Sequence, residues 1–185
     1  MTWQSPSWRA FHRRGDVLSA VIAAADTRQD GILPMDVPGV QETFADELAL
    51  LGALQLRWHT RLAGRIEREL LHQPMDLEQA VIAAWRATHE QMPGVRRIID
   101  HYRSQPTDAA MAEAMRTATA KEQAMLAAMS GRASIQDASA IRVGETIERR
   151  ARAGVPAGSR PGAHRADPRP NHDGLLERIK AVLAA

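Results

Sequence analysis

The chain has 185 residues, of which 44% are hydrophobic, with 24 Lys and Arg against 22 Asp and Glu. That is enough apolar material for one ordinary core with an appendage, and it excludes a wholly disordered chain. The absence of cysteine excludes disulfide staples, thiol nucleophiles, Cys-ligated zinc and iron–sulfur clusters.

The kind of apolar residue sets the fold class. Ala, Leu and Met are abundant, whereas Phe, Tyr and Trp together reach 4%. Helix formers outnumber β-branched and aromatic residues, so the expectation is an all-α, up-and-down bundle of four to five helices. The longest apolar runs, such as Ala20–Ala25 and Leu48–Leu51, fall far short of the roughly 18 residues that span a bilayer. No charged start followed by an apolar run and a small-residue cleavage site occurs, so the expected location is cytoplasmic. Only Lys121 and Lys180 are lysines, and arginine with abundant alanine points to a GC-rich bacterial genome.

Ser5-Pro6 reads as a helix start, after which Trp8, Phe11, Leu18, Ile22 and Ala25 share a face to about Asp26. Gly31, Pro34 and Pro38 make the next dozen residues a loop. The stretch Asp26–Val37 has a calcium-loop look, but Arg28 and Val37 stand where carboxylates are needed, so calcium is not expected. From Val40 to Leu70 apolar residues recur every three or four positions, predicting a long helix over about 39–72. Asp76 with Gln79 caps a third helix over about 77–104, and Pro93-Gly94 predicts a kink or break within it. A fourth helix starts at Pro106-Thr107 with a stripe of Met111, Met115, Ala118, Met125 and Met129, better explained by core than by a groove. Ser134 with Asp137 reads as a capping box for a fifth helix over about 135–152.

The composition changes at Gly154. Seven Gly and Pro residues between Gly154 and Pro170 predict a disordered linker over 153–172 between a bundle domain, 1–152, and a short helix, 173–185. Segment 141–170 carries seven Arg against three acids. The terminal segment places Leu175, Leu176, Ile179, Val182 and Leu183 on one face, too short to be stable alone, so it must dock on its own bundle or on a partner.

No phosphate loop, dinucleotide fingerprint, nucleophile elbow or H-E-x-x-H motif occurs. What remains are ionisable residues on apolar faces: Glu47, His59, His89 and Glu122. A buried carboxylate must have a partner, be partly exposed, or be protonated. These four are the candidate metal or ligand residues. Over about 38–130 the layout resembles the shape of ferritin-like bundles. The diagnostic motif fails, because the single Glu-x-x-His, Glu69 to His72, lies at a helix end. His89 and Glu90 point about 100° apart and cannot both ligate inward. No cofactor is expected.

The leading expectation is therefore a non-enzymatic interaction or scaffold protein that engages a protein partner through Leu175–Leu183 or an open groove. The alternative is a ferritin-shaped metal or small-ligand binder or enzyme. A third reading is weak nucleic-acid association through Arg149, Arg150, Arg152, Arg160, Arg165 and Arg169, without an aromatic platform for bases. Self-association is a further option.

Overall fold

The computed structural model describes residues 6–72 and 75–155, with the side chains of residues 6–12 excepted. The expected linker beyond Val155 and the expected docking residues Leu175, Leu176, Ile179, Val182 and Leu183 lie outside the described residues. Among the described residues the chain is all-α, with seven helices. In order they are α1 (Pro6–Arg28), α2 (Val40–Thr43), α3 (Glu47–His72), α4 (Leu77–Gln91), α5 (Pro93–Ser104), α6 (Ala109–Met129) and α7 (Ala140–Ala153). None of them is long and apolar enough to cross a membrane.

Two helical hairpins, α3 with α4 and α6 with α7, pack together through α4 and α7. The pair α1 and α5 closes the other side. One core runs through the bundle, centred on Leu50, Leu54, Trp58 and Leu62 of α3, Val81 and Trp85 of α4, Ile99 of α5 and Leu126 of α6.

The long helix expected from about residue 39 begins at Glu47 instead. Val40–Thr43 is a separate single turn, and Phe44 is extended at φ −119° and ψ 129°. Asp46 is the reason. Its carboxylate accepts from the Ala49 N–H at 2.7 Å and its carbonyl from Leu50 at 3.2 Å, which caps a new helix. Val40 and Phe44 are both buried, so the apolar rhythm runs unbroken across a chain that is not helical throughout. The Arg14 guanidinium lies 4.4 Å from the Phe44 ring centroid and donates to the Thr43 carbonyl at 3.2 Å, holding the break in place.

At Pro93-Gly94 the expected interruption is a full break, with Pro93 at the first position of α5. The Gly94 N–H donates to Asp26 Oδ1 at 2.8 Å, so a side chain from α1 caps α5. A β-carbon on Gly94 would sit 2.1 Å from the Ala25 carbonyl, so the two helices can approach only at glycine. Helix α7 starts at Ala140, later than expected. Asp137 Oδ2 does accept from the Ser134 N–H at 2.6 Å, but this contact closes a turn before the helix.

Candidate functional site

The sequence singled out Glu47, His59, His89 and Glu122. Three of them gather around one site, Glu122 buried and His59 and His89 half-buried at its edge, and Glu47 does not join them. Glu47 sits in the first turn of α3 and is exposed. It shares a face with Leu50 and Leu51, but side chains on a helix lean toward its N-terminus, which carries this one past the edge of the core.

Glu122 is the acidic centre. It is 4% exposed, in the apolar stripe of α6. Its Oε1 accepts from Arg96 Nη1 at 2.8 Å and from the Trp85 indole N–H at 3.4 Å. Its Oε2 lies 3.3 Å from His59 Nε2. His89 approaches from the other side, with its ring stacked on Trp85 at 5.6 Å between centroids and 18° between planes. Burial alone would push the Glu122 carboxyl up. The Arg96 charge and the His59 hydrogen bond outweigh it and lower it to about 2. His89 is pushed down, first by burial and then by the charge of Arg96.

Arg96 organises the whole arrangement, and sequence reasoning passed over it. It is 1% exposed and belongs to α5. Besides Glu122 it reaches Asp100 Oδ1 through Nε at 3.0 Å and through Nη2 at 2.8 Å, and Glu148 Oε1 at 3.1 Å. Its guanidinium lies 5.0 Å from the Trp58 ring centroid and 5.4 Å from that of Trp85, and those two rings meet edge to face at 5.9 Å. Arg152 of α7 grips Asp100 with two bonds, at 2.8 and 2.7 Å, and Glu148 with two more, at 3.0 and 2.7 Å. Arg103 adds two to Glu148, at 3.0 and 3.2 Å, and Gln123 Nε2 one at 3.3 Å.

Three guanidiniums therefore face three carboxylates across helices α5, α6 and α7, while α3 and α4 supply the tryptophans and histidines. The signal for it was legible. Glu148 falls one residue after Ile147 and four after Gly144 on the buried arc of α7, and Arg96 lies three before Ile99 on α5. Arginine's long stem and planar head make it the cation best suited to burial.

This arrangement favours structure over chemistry. A carboxylate held ionised by a buried guanidinium is a weak base. It is also a poor metal ligand, because a cation placed there would have to displace or oppose Arg96. Among the described residues no three His, Asp or Glu side chains stand together as a metal-binding group. Glu69 lies 3.4 Å from Arg65 Nε, and His72 Nδ1 donates to the Arg68 carbonyl at 2.7 Å, so the lone Glu-x-x-His is engaged elsewhere. Of the arginines considered for nucleic acid, Arg152 belongs to the buried network and Arg150 pairs with Glu78. Arg149 bonds Thr146 at 3.2 Å, and Arg160, Arg165 and Arg169 lie outside the described residues.

The surface offers a different kind of site. A groove of about 660 Å³ runs over α6, between the end of α5 and the start of α7. Pro106, Ala112, Met115, Ala120 and Ile141 line it, with Arg103, Glu113 and Arg116 along the edges. Ile141 is 45% exposed, a large apolar side chain without full cover. Within the methionine stripe Met111 and Met115 are buried, and Met125 and Met129 pack partly buried against the core. No described protein family, no curated protein and no solved structure matches this chain.

Proposed function

We propose that this chain is a non-enzymatic interaction protein whose bundle is a scaffold and whose groove over α6 receives an amphipathic helix of a protein partner. The groove itself carries this reading. Its lining includes small, partly exposed residues, Ala112 and Ala120, that let a helix axis come close, the exposed Ile141 offers an apolar contact, and the buried Met115 lies beneath. Charged residues at the margin suit the polar edges of such a helix. The reading requires no cofactor and leaves the buried ion network with the task of keeping the scaffold rigid.

The chain itself supplies a probe of the right pattern, since Leu175, Leu176, Ile179, Val182 and Leu183 recur at helical spacing. The test titrates a synthetic peptide of residues 173–185 into the full chain carrying Leu176→Asp and Ile179→Asp. Methyl NMR reads Met115 and Ile141. The expected result is a saturable shift at both methyls, with the Met115 shift abolished by Ile141→Asp and both shifts retained in Leu56→Asp, which alters an exposed leucine on α3. No shift at these methyls, or a shift indifferent to Ile141→Asp, removes the groove as a receiving surface.

A further inference from the structure

A second cleft, of about 530 Å³, opens between α4 and α7 on a face separate from the groove. Helix α7 sends Arg142, Thr146 and Arg150 into it, one side chain per turn at four-residue spacing. Arg132, from the turn after α6, lines the opposite wall, and Val143 and Ile147 form the floor. A single carboxylate, Glu78 of α4, stands among the three guanidiniums. Arg132 Nε lies 3.1 Å from Glu78 Oε2, and Arg150 pairs with Oε1 of the same carboxylate. Arg142 has no carboxylate within ion-pair distance among the described residues. The cleft therefore holds an excess of two positive charges, unlike the buried network, where guanidiniums and carboxylates balance.

One end of the α7 wall is fixed. Arg86 of α4 donates to the carbonyls of Ala151 and Arg150 at 3.0 Å each, pinning the end of α7 against α4. The Ser139 hydroxyl also lines the cleft and makes no capping bond to α7, whose first turn contains no acidic residue.

We propose that this cleft binds a phosphate monoester group. Such a group carries about −1.5 to −2 charge at pH 7 and three strong acceptor oxygens, which match the excess charge, the guanidinium donors and the Ser139 hydroxyl; the Thr146 hydroxyl already donates to the Arg142 carbonyl at 3.0 Å. A carboxylate would neutralise only half of that excess. The group has two sources, a small phosphate anion or a phosphorylated side chain, and the recognition chemistry is shared. The proposal is independent of the groove over α6.

The experiment follows the arginine Nε–Hε signals of the full chain by NMR at low ionic strength. Inorganic phosphate is one titrant, a phosphoserine peptide the second, and sodium chloride at matched ionic strength the control. The expected result is saturable shifts confined to Arg132, Arg142 and Arg150, half-complete at or below about 1 mM. Arg142→Gln is expected to weaken binding about tenfold or more. Glu78→Gln, which removes the competing carboxylate, is expected to tighten it about threefold to tenfold. Tighter binding of the peptide assigns the site to a modified protein, and tighter binding of phosphate assigns it to a small anion. Either supports the site. Shifts that do not saturate, that chloride reproduces, or that survive Arg142→Gln overturn it. If Arg142→Gln lowers the melting temperature, Glu78→Gln decides alone, and unchanged or weaker binding in that variant overturns the proposal.

Discussion

Arg96 keeps its charge with 1% of its surface exposed because three carboxylates and two tryptophan rings replace its water. Such an arrangement is costly to break. Removing one partner of a buried pair leaves an uncompensated charge, typically costing about 3–5 kcal/mol. Glu122→Ala is therefore expected to lose stability in that range by urea denaturation at pH 7. A variant within about 1 kcal/mol of the parent would show that the Glu122–Arg96 contact contributes little. The same group sets an acid dependence. Its folded-state pKa, about 2, lies below its ordinary value of 4.5. Its contribution is then complete above about pH 4.5 and is lost as pH falls through about 2. Between pH 5 and 3 the parent should lose stability more steeply than Glu122→Gln, and parallel curves would count against this assignment.

Two kinds of helical glycine separate at the scale of elements. A β-carbon on Gly144 of α7 would stand 1.9 Å from the Gln123 carbonyl of α6, so this hairpin packs through a bare backbone. Gly52 of α3 has nothing within 4 Å of its β-carbon position. Gly144→Ala is expected to lower stability by about 1–3 kcal/mol through forced separation of α6 and α7. Gly52→Ala is expected to raise it by about 0.5–1 kcal/mol, because alanine loses less backbone entropy in a helix. Melting curves of the two variants check both signs, and a neutral Gly144→Ala would show that the helices can slide apart freely. The helix boundaries teach a related lesson. The four-residue rhythm from Val40 onward was legible, yet Asp46 restarts the helix, because periodicity reports which residues are buried and not whether the backbone between them is continuous.

The ion network ties α5, α6 and α7 directly, while Trp58, His59, Trp85 and His89 bring in α3 and α4. Helices α3 to α7 should therefore open as one unit. Native-state hydrogen exchange at the turns around Trp58, Trp85, Arg96, Glu122 and Glu148 is expected to report one free energy, equal to that of global unfolding. A distinctly lower value on α7 alone would mean that this helix detaches first. Composition and apolar spacing by themselves determined that the described residues are all-α, that α3 is long and that the third helix is interrupted at Pro93-Gly94; the same spacing put Glu47, His59, His89 and Glu122 on inward faces, and of these only Glu122 is fully buried. Those features depend on residues a turn or two apart, which the chain displays directly. Only the tertiary structure decided that Arg96 fills the centre, that Asp26 caps α5 from another helix, and that Arg132, Arg142 and Arg150 surround Glu78. Each of these depends on helices distant in sequence approaching within a few ångströms. An ionisable side chain's role is set by the charges that packing brings beside it, and linear spacing does not encode them.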